Sequence, residues 1–313
     1  MTDITAPDGT PLSSFCFGAM QFGGKADHDA SHAMYLACRE AGINFFDTAH
    51  VYTDGTSETW LGEFAASERD KLVIASKANY PGGAGRDNIL KSVDDSLSRL
   101  KMDMIDVYYL HRWDGDTPLE ESFAALAEIQ EAGKIRHVAV SNFAAWQVMK
   151  AQAVAKDCGT RIDMIQPMYN LVKRQAEVEL LPMCQSEGIA AAPYSPLGGG
   201  LLTGKYRAGG EGRITESEMY SKRYSQDWMH NTAADLNTLA LQMRMDPATL
   251  AVAWAARHPG VTAPIISARD VDQLQPSLAA MSFEMDDALY ARISSLSPTP
   301  PLVSYTHLRA HET

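Results

Sequence analysis

Four ionisable side chains stand at or just after the ends of three consecutive apolar runs. Asp47 ends INFFD, Lys77 ends LVIASK and His111 ends VYYLH. Tyr52 follows Asp47 by five residues. A free tyrosine has a pKa near 10, and lowering it to about 7 would take roughly 4 kcal/mol of phenolate stabilisation. A buried Lys77 ammonium would supply it, with Asp47 as counter-charge and His111 as hydrogen-bond donor to a carbonyl oxygen.

Each of these side chains also has an ordinary structural interpretation. Asp47 could cap a helix or form a turn, Lys77 could extend from an apolar stem to solvent, and Tyr52 could be a rim aromatic. His111 could be a hydrogen-bonded core histidine. Ionisable residues in such settings are often structural when taken singly. All four together at the ends of neighbouring strands favour a site for proton transfer.

Short apolar runs alternate with longer amphipathic runs along nearly the whole chain. The apolar runs are SFCFGAM, INFFDTA, LVIASK, MIDVYYLH, IRHVAVSN, MIQPMYN, IAAAPYS and VTAPIIS. Between them lie helical candidates such as HDASHAMYLACREAG, SETWLGEFAAS, RDNILKSVDDSLSRL, PLEESFAALAEIQEAG and AAWQVMKAQAVAKDCG. Strands buried on both faces are continuously apolar, and parallel strands need helical crossovers. The alternation therefore predicts an α/β fold with a parallel sheet.

The predicted architecture is a (β/α)8 TIM barrel with an N-terminal β-hairpin cap. A barrel needs about 250 residues, which fits a single domain over residues 1–302. An open doubly wound sheet would carry a glycine-rich phosphate turn after its first strand, and FGAMQFGGKAD has no GxGxxG. Asp8-Gly9 lies between two short extended stretches, which is a hairpin signal. Barrel active sites lie at the C-terminal mouth, where the four ionisable residues would meet.

Composition narrows the classes of ligand. The net charge is -12, which argues against a nucleic-acid surface or a polybasic membrane contact but leaves room for a local basic pocket. No apolar run reaches the ~20 residues that span a bilayer, and MTDITAPDGTPLSS lacks a signal-peptide pattern, so a cytoplasmic protein is expected. The four cysteines are scattered without CxxC spacing, so neither a metal site nor a disulfide framework is expected.

Two segments need separate interpretation. Residues 303–313, VSYTHLRAHET, look like a translated sequencing adapter and are predicted to be a non-native tail, with a natural polar tail as the alternative. Residues 198–231 are glycine-rich and weakly patterned, and predict a long functional loop over one barrel face. Within it, GGLLTGK begins like a P-loop. Tyr206 replaces the required Ser or Thr, and no strand-turn-helix context is present, which disfavours a nucleotide triphosphatase.

Several motifs, in order along residues 17–298, resemble the aldo-keto reductases. They are FFDTAHVYTDGTSETWLGEF, LVIASK, IDVYYLHRWDGDTPLEES, AGKIRHVAVSNF, QPMYNLVKRQAEVELLPMC, PYSPLGGGLLTGKY and IISARDVDQLQPSLAA. The resemblance implies an NADPH-dependent enzyme that reduces aldehydes or ketones to alcohols. It assigns a catalytic tetrad of Asp47, Tyr52, Lys77 and His111. Tyr52 would donate the proton while the nicotinamide of NADPH gives hydride.

The same resemblance implies the cofactor contacts. Ser141, Asn142 and Gln166 would hold the nicotinamide carboxamide, and Tyr194 would stack on the ring. The pyrophosphate would be wrapped by residues 195–205, including Ser195, Pro196, Leu197, Gly198 and Lys205. The adenosine phosphate would be held by residues 266–273, including Ile266, Ser267, Arg269 and Gln273, with Arg269 on the 2′-phosphate. The chain departs from the family where it has Thr53 and Ser267 in place of a frequent glycine, and Ser277 in place of a frequent asparagine.

Some questions stay open at the level of sequence. Met20, Phe22, Tyr80 and Trp113 follow strand ends and could line an apolar substrate pocket or simply pack. The resembled family also includes potassium-channel β subunits, so a cofactor-binding regulatory subunit with little turnover is the alternative to an enzyme. A small-molecule carbonyl compound is the expected partner. Neither its identity nor the oligomeric state is indicated by the sequence.

Overall fold

The structure is a computed structural model that describes residues 4–301. Its strands are β1 (Cys16–Gly18), β2 (Phe45–Asp47), β3 (Val73–Lys77), β4 (Ile105–Leu110), β5 (Ile135–Ser141), β6 (Ile162–Gln166), β7 (Ala190–Ala191) and β8 (Ile265–Ile266). Its α-helices are α1 (His28–Glu40), α2 (Thr56–Ala65), α3 (Arg86–Leu100), α4 (Leu119–Glu131), α5 (Ala145–Asp157), α6 (Leu180–Glu187), α7 (Arg213–Glu216), α8 (Glu218–Arg223), α9 (Asp227–Met243), α10 (Pro247–Arg257), α11 (Val271–Ala279) and α12 (Asp287–Ser294). The predicted non-native tail, residues 303–313, lies outside the described residues.

The eight strands form one parallel sheet whose order confirms the predicted barrel. The order is β7-β6-β5-β4-β3-β2-β1-β8, so each strand lies beside its neighbour in sequence and β1 also pairs with β8. The ring is completed between the last two strands. Ile265 N donates to Pro193 O at 2.8 Å, and Tyr194 forms a parallel bridge with Ile265.

The predicted N-terminal hairpin closes the base of the barrel. Thr5 and Pro11 form an antiparallel bridge, and Ala6 N donates to Thr10 O at 2.8 Å across the turn. Gly9 makes that turn at a φ of 89°, in the left-handed region that glycine adopts without steric cost. Ile4 and Ala6 are buried in the same apolar cluster as the inward-facing strand residues. The hairpin therefore contributes to the interior of the barrel.

Alternation along the strands explains how polar side chains reach the mouth. Phe45 packs inside the barrel, whereas Phe46 packs in the layer between sheet and helices. Successive strand side chains point to opposite faces, so a period of two carries Asp47, Lys77 and His111 to the inner side. Each lies at or just beyond the end of its strand. The three strands β2, β3 and β4 are adjacent in the sheet, which brings their ends together.

Helix boundaries follow the predicted signals. Gly42 and Gly133 come just after α1 and α4 with φ of 87° and 74°. Pro118 occupies the N-cap position of α4, and Pro247 begins α10. The segment predicted as a long loop over one barrel face, residues 198–231, contributes to the cavity lining but is more regular than expected. That segment holds two 3₁₀ helices (Gly198–Thr203 and Lys205–Ala208), α7, α8 and the start of α9. Helices of four and six residues are too short to show a periodic apolar pattern.

No helix within residues 4–301 has the length and apolar character needed to cross a membrane.

Candidate active site

The four predicted catalytic residues converge at the C-terminal mouth. Lys77 Nζ lies 2.5 Å from Asp47 Oδ1 and donates to Thr48 O at 2.7 Å. Lys77 and Asp47 are 0% and 3% exposed, so this ion pair is removed from water. Lys77 Nζ also lies 5.0 Å from the centroid of the Tyr52 ring, and the Tyr52 and His111 rings meet edge to face at 5.9 Å. The four side chains that the sequence analysis grouped together therefore lie close together in the structure.

The pKa shifts of Lys77 and Tyr52 agree only in part with what the sequence predicted. Burial works against the Lys77 ammonium, but Asp47 and Tyr52 outweigh it, so the pKa of Lys77 is raised. Burial raises the pKa of Tyr52, with Lys77 opposing the shift and Asp47 adding to it. The expected lowering of the Tyr52 pKa is thus wrong for the protein alone, because desolvation outweighs the ammonium. The phenol consequently keeps its proton at neutral pH, as a proton donor requires.

His111 is neutral in this environment. Burial lowers the pKa of His111 to about 3, and the charges of Lys77 and Arg112 act in the same direction. A neutral imidazole carries one N–H donor and one acceptor nitrogen. Nδ1 of His111 is buried without a hydrogen-bond partner in the part of the chain that the structure describes. The ring can therefore donate one hydrogen bond to an oxygen without being an acid itself.

The turn that carries Tyr52 has an unusual backbone. Thr53 and Asp54 have φ of 48° and 53°, a region that costs most non-glycine residues about 1–2 kcal/mol. The Thr53 hydroxyl donates to Phe22 O at 2.7 Å and accepts from Ser57 N at 3.1 Å. The left-handed backbone gives a physical reason for the glycine that the resembled family often has here. In this chain the threonine hydroxyl offsets the cost.

A buried ion pair supports the same turn from behind. Arg99 Nη1 donates to Glu58 Oε2 at 3.0 Å and to His50 O at 2.9 Å, and Glu58 is fully buried. A Cβ at Gly55 would lie 2.6 Å from Arg99 Nε, so glycine is needed for this approach. Sequence reasoning missed this pair because α2 and α3 meet only in the folded protein. Arg99 therefore links the backbone before Tyr52, at His50, to the side chain of Glu58 on the helix that follows the turn.

A cavity of about 1050 Å³ opens over the tetrad. Most of the predicted site residues line it, namely Asp47, Tyr52, His111, Ser141, Asn142, Gln166, Tyr194, Ser195, Pro196, Leu197, Lys205, Ser267, Arg269 and Gln273. Lys77 lies beneath its floor, bonded to Asp47. A cavity of this size exceeds the usual range of about 300–1,000 Å³ for small-molecule sites. It can hold an extended ligand together with a small second molecule.

Two predicted cofactor residues do not line the cavity. Ile266 is 1% exposed and packs in the layer between sheet and helices, because the inward position on β8 belongs to Ile265. Gly198 is buried, and a Cβ there would lie 3.6 Å from the Tyr224 ring. The structure therefore places Ile265 where Ile266 was expected, a shift of one residue that reverses the face of a strand.

At one end of the cavity, amide side chains are tied to the tetrad. Gln166 Nε2 donates to Asp47 Oδ2 at 2.9 Å, and Asn142 Nδ2 donates to His111 O at 3.0 Å. Tyr194 in turn donates its hydroxyl hydrogen to Asn142 Oδ1 at 2.7 Å. Asn142 holds a φ of 59°, which fixes its side chain at the end of β5. These bonds give the predicted nicotinamide end a defined geometry.

The other end of the cavity is cationic. Lys205, Arg213 and Arg269 line it, and burial together with Arg269 lowers the pKa of Lys205. Ser267 Oγ is buried with no partner among residues 4–301. Gly200 has a φ of 91°, and a Cβ there would lie 2.9 Å from Lys205 Cε. Clustered cations, an unsatisfied hydroxyl and a close glycine backbone fit an anionic ligand such as a nucleotide phosphate.

Arg269 already has a protein partner. Its Nη2 lies 3.6 Å from Glu216 Oε2 on α7, and Glu216 is also paired with Lys25. The backbone N–H of Arg269 donates to Gln273 Oε1 at 3.1 Å. The predicted phosphate contact would therefore compete with Glu216. Because the pair is partly exposed and the distance is long, this competition is weak.

Of the four residues that could either line an apolar substrate pocket or pack in the core, two line the cavity and two pack against other rings. Met20 and Tyr80 line the cavity. Phe22 instead packs on Phe17 with ring centroids 5.6 Å apart, and Trp113 packs on Phe143 at 5.2 Å. Several further lining residues were not predicted, among them Arg112, Met219, Tyr220 and Arg223. The last three belong to the segment whose length alone indicated function.

Comparison with known proteins agrees with this geometry. The model of the Aldo/keto reductase family matches residues 14–298. "Protein tas" of Escherichia coli is 32% identical over 91% of this chain and 94% of its own length. "Norsolorinic acid reductase stcV" of Emericella nidulans is 32% identical over 93% and 79%. A "probable voltage-gated potassium channel subunit beta" of Oryza sativa subsp. japonica is 32% identical over 87% and 88%.

A parallel barrel with a Lys–Asp–Tyr–His group at its mouth, matched along most of its length, defines the class of protein. The chain belongs to the aldo/keto reductase family. Family and relatives together support an oxidoreductase.

Proposed function

We propose that this protein reduces aldehydes or ketones to alcohols with NADPH, and that Tyr52 donates the proton. The observation that carries the proposal is the fully buried Lys77 ammonium, bonded to Asp47 at 2.5 Å and lying 5.0 Å from the Tyr52 ring. Transfer of the phenolic proton leaves a phenolate beside this cation. Stabilising charge that develops during the reaction is how such a group lowers a barrier.

The other polar residues at the mouth would orient the substrate. Neutral His111 would donate a hydrogen bond to the carbonyl oxygen, which positions that oxygen for the proton of Tyr52. A bound nicotinamide cofactor supplies the hydride that reaches the carbonyl carbon. The phenolate of Tyr52 would then recover a proton from solvent. The net change is one hydride and one proton added across the carbonyl bond.

The lining of the cavity supports the cofactor assignment. Ser141, Asn142 and Gln166 would hold the carboxamide, and Tyr194 would lie against the ring. At the cationic end, Lys205 would bind phosphate together with the backbone of residues 195–197 and 199–200. Arg269, with Ser267 and Gln273, would bind the 2′-phosphate, and this contact would select NADPH over NADH.

The alternative is a cofactor-binding regulatory subunit with little turnover. The relatives named as potassium channel β subunits, at 32% identity, are the observation that favours it. The experiment is a panel of aldehydes and ketones incubated with the purified protein and NADPH, followed by loss of NADPH absorbance. Turnover with at least one carbonyl compound supports the reductase. Tight NADPH binding without turnover across the panel would favour the regulatory subunit.

A further inference from the structure

A buried carboxylate behind the Tyr52 turn has no part in the proposed chemistry. Glu58 lies in the first turn of α2 and is 0% exposed. It does not line the cavity, so a ligand held there does not contact it. Its Oε1 accepts from Ser76 Oγ at 2.6 Å, and its Oε2 accepts from Arg99 Nη1 at 3.0 Å. Both carboxylate oxygens are therefore bound to protein donors.

The bond from Ser76 ties α2 to the strand that carries Lys77. Ser76 directly precedes Lys77 on β3, and successive strand side chains point to opposite faces of the sheet. Lys77 points into the barrel, where it binds Asp47, and Ser76 points outward to Glu58. Because β3 pairs with both β2 and β4, its own position is well fixed. The start of α2 is thereby held against β3.

The chain is attached to the same strand just before Tyr52 as well. The backbone N–H of His50 donates to Lys77 O at 3.2 Å. The segment from His50 to Glu58, which contains Tyr52, is thus bound at its two ends to consecutive residues of β3, Lys77 and Ser76. The position of the Tyr52 ring relative to Lys77 depends on both attachments.

Arg99 joins the two attachments to each other. Its Nη1 donates to His50 O at 2.9 Å as well as to the Glu58 carboxylate. Between the attachments, Thr53 and Asp54 have left-handed backbone with φ of 48° and 53°. Backbone of this kind persists only where the surrounding structure holds it. The turn therefore relies on these external bonds for its shape.

Stability alone does not account for a carboxylate at this position. Burying a carboxylate is costly, and apolar side chains of similar volume often stabilise a protein as well as a buried ion pair does. Helices α2 and α3 already pack closely, because a Cβ at Gly62 would have no room against Leu100 O. What the carboxylate adds is two directional bonds, one to β3 and one to Arg99.

We propose that Glu58 is a positioning residue for catalysis, because its carboxylate holds the turn that carries Tyr52 at a fixed distance from the Lys77 ammonium. The proposal rests on the proposed reductase function and adds a residue to it. Lys77 Nζ lies 5.0 Å from the centroid of the Tyr52 ring. The attraction between this cation and a developing phenolate weakens as the two move apart. A misplacement of about 1 Å can slow a reaction about a hundredfold.

The main test is Glu58→Gln, which keeps the shape of the side chain. An amide has one oxygen, so it cannot replace both carboxylate oxygens. With NADPH bound first and an aldehyde that the wild type reduces, the rate of the chemical step in a single turnover should fall about ten- to hundredfold. The dissociation constant of NADPH should be unchanged, because Glu58 does not line the cavity.

Glu68→Gln is the matched control. Glu68 accepts from Arg39 at 3.0 and 2.8 Å, and Arg39 also donates to Ile43 O at 2.7 Å. The same three kinds of group meet here, but near the base of the barrel, where Asp8 N of the hairpin donates to Asp70 O. Glu68→Gln should destabilise the protein without slowing the chemical step. An equal fall in rate in both variants would assign the effect to lost stability and overturn the proposal.

Ser76→Ala tests the same link without changing any charge. It removes the bond from β3 and leaves Glu58 paired with Arg99, so no buried charge loses its partner. Loss of one hydrogen bond should slow the chemical step about three- to tenfold. If Glu58→Gln does not fold, this variant decides the question by itself.

The pH profile distinguishes positioning from a loss of folded protein. Charges that act on Tyr52 are those of Lys77, Asp47 and Tyr220, and the His111 ring contacts it edge to face. Lys77 opposes the rise in the pKa of Tyr52, so a looser contact raises this pKa further. In both test variants the alkaline decline of the rate should move to higher pH. A smaller folded fraction lowers the whole profile without shifting it.

The outcomes separate this role from the reductase function. Wild-type rates in Glu58→Gln and Ser76→Ala, with an unshifted alkaline decline, would overturn the positioning role and leave the reductase function intact. If the wild type reduces no aldehyde or ketone at all, the reductase function is refuted and the positioning role with it.

Discussion

Replacing Lys77 by methionine should destabilise the protein strongly, because it leaves the Asp47 carboxylate buried without its cation. The two groups are 2.5 Å apart, and neither residue is more than 3% exposed. Breaking such a buried pair by removing one partner costs about 3–5 kcal/mol. Asp47 keeps its bond from Gln166 Nε2 at 2.9 Å, which places the expected loss near the lower end of that range.

The double variant Asp47→Asn/Lys77→Met separates charge burial from packing. Because the double variant has no charged side chain buried at this position, it should regain about 2 kcal/mol or more of the free energy of unfolding that Lys77→Met loses. Urea unfolding of the wild type, both single variants and the double variant gives the coupling free energy directly. All three variants should lack carbonyl reduction, so the recovery concerns stability alone.

An exposed ion pair of the same length is the control. Lys134 Nζ lies 2.5 Å from Asp94 Oδ1, but their side chains are 37% and 58% exposed. Lys134→Met should therefore change the free energy of unfolding by less than about 1 kcal/mol. If Lys77→Met were no more destabilising than Lys134→Met, the description of Lys77 and Asp47 as a desolvated pair would be wrong.

Four further predictions follow from the site and the chain ends. The pH profile of kcat should show no inflection near neutral pH, because burial lowers the pKa of His111 to about 3. The rate should decline only in alkaline solution, where the pKa of Tyr52, which burial raises, is passed. Thr53→Ala should cost about 1–2 kcal/mol in urea unfolding through two lost hydrogen bonds, and no loss would show that they do not offset the left-handed backbone. Arg269→Ala should raise the dissociation constant of NADPH about ten- to hundredfold and barely change that of NADH, whereas an equal change in fluorescence titrations of both would mean that Arg269 supports the fold. Deleting residues 303–313 should leave the melting temperature and turnover unchanged, and a clear fall in melting temperature would identify them as part of the domain.

The barrel and the positions of three of the four predicted catalytic residues could be read from local patterns in the sequence. Continuous apolar runs identify buried parallel strands, and an ionisable residue at the end of such a run must lie at the mouth. Asp47, Lys77 and His111 satisfy that rule without knowledge of any contact. The position of Tyr52 does not follow from this rule, because Tyr52 lies beyond the strand on a turn in which Thr53 and Asp54 have left-handed backbone.

The remaining features depend on contacts between distant segments. Arg99 and Glu58 are 41 residues apart and meet because α2 packs on α3. Tyr220 and Arg223 reach the cavity from α8, which at six residues is too short to show a periodic apolar pattern. Ile266 was assigned to the cofactor from the resemblance, whereas the alternation of β8 turns Ile265 inward instead. The direction of the Tyr52 pKa shift could not be predicted from the sequence either, because it depends on how deeply the folded protein buries the phenol.

The most direct test of the central claim is a single-turnover measurement on Tyr52→Phe beside the wild type. With NADPH bound first and an aldehyde added at saturating concentration, the rate of the chemical step is read from the loss of NADPH absorbance. Loss of the general acid should slow that step about a hundred- to ten-thousandfold. Because the phenyl ring still fills its place, the dissociation constant of NADPH should be unchanged. Reduction by Tyr52→Phe at the wild-type rate would contradict the assignment of Tyr52 as the proton donor.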